Sequence, residues 1–153
     1  MTTRQVSAST VVAASPEEVF ALLADPRRHA EFDGSGTVRD AVSGPGRLGP
    51  GARFGMRMHL GVPYRVSNTV VEFEEGRRIG WRHVGRHVWR YELAAVPGGT
   101  RVTETFDYGS AISPGFLELI KAPARNKHAI RATLVRLTEI FSDATGRPTA
   151  ARP

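Results

Sequence analysis

Three side chains in this sequence could do chemistry if the fold brings them to an apolar surface: His83, Glu104 and Asn126. An imidazole is the side chain that changes charge near neutral pH, so His83 could serve as a general acid or base. Strand alternation places it in a row with Ser67, Trp89 and Tyr108, hydroxyls and an imidazole among aromatics. A ligand pocket has that make-up, mostly apolar with a few placed polar groups. A core histidine bonded to Ser67 or Tyr108 has it too. Glu104 lies in the alternation Val102, Glu104, Phe106, on the apolar side. An ionised carboxylate there is costly unless paired. Desolvation would raise its pKa and make it an acid or base, whereas an arginine from the first strand or a helix would make it a structural ion pair. Asn126 heads the stripe Ile130, Leu134, Leu137 and Phe141, spaced 4, 4, 3 and 4 along one helix face. It could meet a ligand or bond backbone freed near Pro123.

Other chemistries lack their residues. The chain has no cysteine, which removes disulfides, thiol catalysis and Cys-ligated zinc. No serine sits in a G-x-S-x-G elbow, and Ser67 has no evident acid partner. His29, Glu31 and Asp33 are close in sequence, but a metal site needs ligands converging from more than one element. His83 and His87 straddle a hairpin tip where loop parity does not put both on the core face, so no metal is expected. Gly44 to Gly49 match G-x-G-x-x-G, but no helix opens after them and no βαβ unit surrounds them. No cofactor is expected.

The elements that must position these groups follow from pattern. Residues 4–13 read as a strand. Ser15-Pro16-Glu17-Glu18 is a helix start, with Ser15 as cap, Pro16 in the first turn and Glu18 closing a capping box. Asp25-Pro26 starts a second short helix running to about Ala30. Thr37 to Val42 reads as a strand, followed by a Gly/Pro loop. Strands then alternate from Gly51 to Tyr108, with turns near Gly61-Val62-Pro63, at Glu74-Glu75-Gly76, at Gly85-Arg86-His87 and at Gly98-Gly99. Residues 114–143 are helical, with Pro123 interrupting and restarting the helix. One domain over residues 1–143 and a disordered tail over 144–153 are expected.

Loop lengths fix which residues share a face, because the side-chain period of a strand is 2. Three cross-strand rows result. Met58, Ser67, His83, Trp89 and Tyr108 form one, and Met56, Thr69, Trp81, Tyr91 and Phe106 form the next. Phe54, Val71, Ile79, Leu93 and Glu104 form the third. A bulge would shift one strand and break this register. The opposite face carries Arg57, Glu72, Arg78, Arg82, Arg90, Glu92, Arg101 and Asp107. The expected architecture is α+β, a curved antiparallel sheet of six to seven strands around a long C-terminal helix, with two short helices after the first strand.

The chain resembles the START-like, or SRPBCC (polyketide cyclase/dehydrase), superfamily over about residues 5 to 142. The resemblance is carried by Ala14-Ser15-Pro16-Glu17-Glu18-Val19-Phe20, by Leu23-Ala24-Asp25-Pro26 and by Phe73-Glu74-Glu75-Gly76-Arg77-Arg78-Ile79-Gly80-Trp81-Arg82. It continues in Gly98-Gly99-Thr100-Arg101-Val102-Thr103-Glu104 and in Leu134-Val135-Arg136-Leu137. It implies a helix-grip (Bet v 1-like) fold with a cavity between sheet and C-terminal helix. Members bind lipids, sterols or polyketides there, and some are aromatases, cyclases or hydrolases.

Three functions are compatible with these residues. The first is binding of a small hydrophobic or aromatic molecule. Met56, Met58, Trp81, Trp89 and Tyr91 would enclose it, and Ser67, Thr69, His83, Glu104, Tyr108 and Asn126 would add polar contacts. The second is an enzyme of the cyclase, aromatase or dehydratase type, with His83 as general acid or base and Tyr108 as its partner. The third is a basic interaction module carried by Arg78, Arg82 and Arg90, since the formal charge is +6. No nucleic-acid motif accompanies that charge, so nucleic acid is not expected as partner. No run approaches the roughly 18 apolar residues of a membrane span. No signal peptide is evident in MTTRQVSAST, and a cytoplasmic location is expected.

Overall fold

Alternating residues in the middle of the chain form strands, and the loops between them are too short for anything but antiparallel neighbours. The computed structural model describes residues 3–142, so the tail expected from residue 144 lies outside the described residues. The strands are β1 (Gln5–Val12), β2 (Val38–Ser43), β3 (Arg53–Leu60), β4 (Val62–Glu74), β5 (Arg78–Arg82), β6 (Val88–Val96) and β7 (Gly99–Asp107). They make one curled antiparallel sheet in the order β1-β7-β6-β5-β4-β3-β2. Thus β2 to β7 form a meander, and β1 closes against β7.

Helix α1 (Pro16–Leu23) begins as its capping signal requires. The Ser15 side chain accepts from the Glu18 N–H at 3.3 Å, and the Glu18 carboxylate accepts from the Ser15 N–H at 2.9 Å. Val19, Phe20, Leu22 and Leu23 are buried against the sheet. A 3₁₀ turn (Pro26–Arg28) leads into α2 (His29–Phe32). This segment runs two residues past the expected end, which brings His29 and Phe32, three positions apart, onto one buried face.

At the other end, α3 (Pro114–Leu119) stops at Lys121, whose φ of 59° is left-handed, and α4 (Ala122–Ile140) starts with Pro123 in its first turn. Proline has no N–H to donate, so it can open a helix but not continue one. Helix α4 lies across the sheet, burying Ile130, Leu134 and Leu137. The fold is the helix-grip architecture expected from the sequence.

The register departs from expectation on β4. The β3–β4 turn closes on Gly61 alone, at φ 73°, so Met58 faces Tyr64 and Met56 faces Val66. A bulge at Val71 then lies between the Val70–Trp81 and Glu72–Gly80 pairs. Both changes are odd-numbered. The N-terminal half of β4 therefore turns Val66, Asn68 and Val70 inward and Ser67, Thr69 and Val71 outward. Val70 is 2% exposed and Val71 is 43% exposed. The expected inward placement of Ser67, Thr69 and Val71 is corrected accordingly.

Two other hairpins slide by an even step, which moves rows but keeps faces. Trp81 pairs with Trp89 and then Phe106, and Ile79 pairs with Tyr91 and then Glu104. His83 faces His87 across the hairpin, with the His83 N–H donating to the His87 carbonyl at 3.0 Å. The two imidazoles stack at 4.8 Å and 14°, correcting the expectation that they fall on different faces.

Candidate functional site

A cavity of about 350 Å³ lies between the concave face of the sheet and α4, closed at one end by α2 and the loop after it. Of the residues expected to meet a ligand, Met56, Met58, Trp81, His83, Trp89, Tyr91, Glu104 and Asn126 line this cavity. Ser67 and Thr69 do not, because of the β4 register; they line a groove on the outer face. Tyr108 does not either. Its ring stacks on Phe106 at 5.5 Å, and burial, with the Glu118 carboxylate beside its hydroxyl, raises its pKa. The pairing of His83 with Tyr108 as acid and base is thereby set aside.

The walls are aromatic. His29 stacks on Trp81 at 4.8 Å and 21°, and its edge meets Phe54 at 5.5 Å. Trp81 leans on Tyr91 at 5.6 Å, and Phe32 meets Tyr91 edge-on at 6.1 Å. Such offset and edge contacts suit the ring quadrupoles and hold the rings in defined orientations. The His29 Nε2 bonds to the Leu23 carbonyl at 2.9 Å. A carbonyl only accepts, so Nε2 carries a proton. Burial keeps the ring neutral, pushing its pKa down to about 4.

The polar centre is Glu104. It is 3% exposed, and Tyr91 Oη donates to its Oε1 at 2.8 Å. Its Oε2 is buried with no hydrogen-bond partner among the described residues. Among the described residues no arginine pairs with it, so the ion-pair alternative falls away. Burial pushes its pKa up to about 8; the Tyr91 hydrogen bond acts the other way, and the Asp33 carboxylate adds to the rise. Burial also raises the Tyr91 phenol well above its ordinary value, so that hydroxyl remains a donor. At neutral pH Glu104 is then a carboxylic acid with an O–H to offer into the cavity, the only form in which a lone buried carboxyl is tolerable.

The cavity is also lined by Asn68 and Thr133, which sequence reasoning passed over, and by Asp33, which it weighed only as a metal ligand. Asn68 was hidden by the register error on β4. Gly34 and Thr133 are joined by an N–H to Oγ1 bond of 2.8 Å. A Cβ on Gly34 would stand 2.3 Å from the Thr133 nitrogen, so only glycine lets this loop close against α4. The three-residue spacing of His29 and Phe32 is a sequence signal for a shared face once the helix extends to Phe32. Asn126 lines the cavity and forms no capping bond at the start of α4.

His83 lines the cavity and His87 stacks on it. Burial lowers both, His87 to about 4, and their Nδ1 atoms have no hydrogen-bond partner among the described residues. Nitrogen lone pairs lie in the ring plane, so nearly parallel stacked rings do not aim at a common ion. Among the described residues no three His, Cys, Asp or Glu side chains converge as a metal set. No described helix is long and apolar enough to cross a membrane.

Comparison with known proteins agrees with this geometry. Residues 3–141 match the family model described as polyketide cyclase/dehydrase and lipid transport. An uncharacterised protein of Mycobacterium tuberculosis H37Rv is 42% identical over 144 residues, covering 90% of this chain and 64% of that protein. The chain thus spans about two thirds of the length of the curated relatives it matches. A Nitrosomonas europaea crystal structure is similar at TM-score 0.69 and 17% identity, covering 90% of this chain and 93% of that one. The AHSA1-like protein of Aeromonas hydrophila is similar at TM-score 0.65 and 19% identity, covering 89% and 93%. These two likenesses concern the fold. The family match supports a ligand-binding domain in general terms.

Proposed function

We propose that this chain, which belongs to the polyketide cyclase/dehydrase and lipid transport family, binds a small aromatic or alicyclic molecule carrying an oxygen acceptor. Glu104 as a neutral acid, inside an aromatic cavity and with one oxygen unpartnered, is the observation that carries this reading. The rings of Trp81, Trp89, Tyr91 and His29 enclose the ligand, and the Glu104 O–H donates to its carbonyl or hydroxyl oxygen. A cavity of about 350 Å³ is at the small end of ligand pockets and suits two or three fused rings rather than a long acyl chain.

The test uses the chain's two tryptophans, both of which line the cavity. Titration with 1-tetralone should quench their fluorescence with saturation. Tetralin, the same skeleton without the carbonyl, should bind about tenfold more weakly, the worth of one good hydrogen bond in a dry site. In Glu104→Leu that preference should vanish. Equal affinity of the wild type for the two compounds would sink the assignment of Glu104.

A second reading has the same observation behind it. A carboxylic acid with a pKa near 8 beside an apolar substrate is poised as a general acid for loss of water from a β-hydroxy ketone. Turnover of such a compound should then fall as pH rises through about 8. A flat profile across that range would remove the catalytic reading and leave the binder.

A further inference from the structure

We propose a second binding site, for a phosphate-type dianion, on the outer face of the sheet. There Arg53, Thr69 and Arg82 stand side by side on three neighbouring strands, as the β3–β4 and β4–β5 pairings place them. Ser67 is the next outward residue along β4. Together with Arg86 and His83 these residues line an open groove of about 470 Å³.

The electrostatics of the groove are what point to a ligand. Several arginines elsewhere on this face have protein partners: Arg57 meets Asp40, Arg78 meets Glu92, and Arg90 meets both Glu72 and Asp107; Arg65 and Arg101 have no ion pair among the described residues but do not line the groove. Around the groove Arg53, Arg82 and Arg86 have no ion-pair partner among the described residues, and no carboxylate lines it. Thr69 separates Arg53 from Arg82, which leaves room for an anion to bridge the two like charges. Arg86 is moreover held in the left-handed region at φ 67°, where a non-glycine residue is uncommon.

The donors specify the class. Three guanidiniums offer planar forks that match oxyanions in pairs, and the Ser67 and Thr69 hydroxyls add single donors between them. A monovalent carboxylate would leave charge uncompensated. A phosphate monoester has the charge and enough acceptor oxygens for all of them. His83 lines both the groove and the inner cavity, so an anion held outside lies one side chain from the cavity.

The ligand could be a soluble phosphate or a phospholipid headgroup, and the experiment separates them. Phenyl phosphate and inorganic phosphate are titrated by calorimetry at constant ionic strength set with chloride. In parallel, vesicles of phosphatidylcholine with and without phosphatidic acid are tested by sedimentation. The proteins are wild type, the double variant Arg53→Gln/Arg82→Gln, and Arg101→Gln as an exposed outer-face control. All these side chains are exposed, so folding should survive, with circular dichroism to confirm it. The expected result is binding that the double variant weakens by about tenfold or more and the control by no more than about twofold. Response to the soluble phosphates identifies a free ligand; response to phosphatidic acid vesicles alone identifies a headgroup. No binding in either format, or equal losses in the double variant and the control, would overturn the site.

Discussion

Glu104 shows how much one residue's environment can change its chemistry. On a solvated strand it would be a carboxylate; buried, with Tyr91 on one oxygen and no partner on the other, it is an acid with a pKa near 8. Below pH 4.5 both folded and unfolded chains hold its proton. Above that value the unfolded chain releases it while the folded chain does not, so stability declines until pH passes about 8. Glu104→Gln keeps the shape and the acceptor for Tyr91 and removes the titration. The variant should match the wild type in thermal midpoint near pH 4 and exceed it at pH 8 and above, as measured by calorimetry. A midpoint lower than wild type at alkaline pH would mean that Glu104 is ionised and paired. His29 behaves in the opposite sense. Its folded value near 4 lies below the ordinary 6.5, so its contribution is present above pH 6.5 and lost as pH falls towards 4.

At the scale of elements, the bulge at Val71 decides which half of β4 faces the cavity. Val70→Lys would bury a charge with no partner and should cost several kcal/mol or prevent folding. Val71→Lys, one residue along, should change stability by no more than about 0.5 kcal/mol. Urea denaturation of the two variants tests the register directly, and the reverse outcome would restore the unbulged pairing. The loop after α2 depends on Gly34 in a comparable way. Gly34→Ala should cost at least about 2 kcal/mol, since the intruding methyl meets helix backbone and not a movable side chain. Ser15→Ala should cost about 1 kcal/mol through loss of the α1 cap.

For the molecule as a whole, the buried titratable groups pull against each other. His29 and His87, both held near 4, make stability rise with pH up to about 6.5. Glu104 makes it fall between 4.5 and 8. His83, which burial also lowers, acts in the same sense; together the histidines outweigh one carboxyl below 6.5, and Glu104 dominates above it. These groups place the stability maximum near pH 6.5, well below the sequence isoelectric point of about 10.7. A series of unfolding midpoints against pH checks this, and a plateau from 5 to 9 would contradict it. The outer face divides in two: a network of Arg90, Glu72 and Asp107 that is internally neutralised, and the arginine groove that is not. A uniform basic module carried by Arg78, Arg82 and Arg90 therefore has little free charge, because Arg78 and Arg90 are already paired.

By itself the sequence determined the architecture. The capping box at Ser15, the break at Pro123, the period-2 alternation and the Gly-marked turns are local signals. Each acts over a few residues and leaves its trace in residue type. They also determined that Trp81, His83, Trp89, Tyr91 and Glu104 share a face, because even slips in a hairpin leave parity unchanged. What only tertiary structure decided was the register of β4, the pairing of Tyr91 with Glu104 and the approach of α2 to the cavity. A bulge has no residue signature at Val71, since a valine suits a paired and an unpaired position equally. The protonation of Glu104 depends on what is absent around its second oxygen, and that is a property of packing between elements far apart in the chain. Ser67 and Thr69 illustrate the consequence: the same residues move from the inner cavity to the outer groove through one added position in a strand.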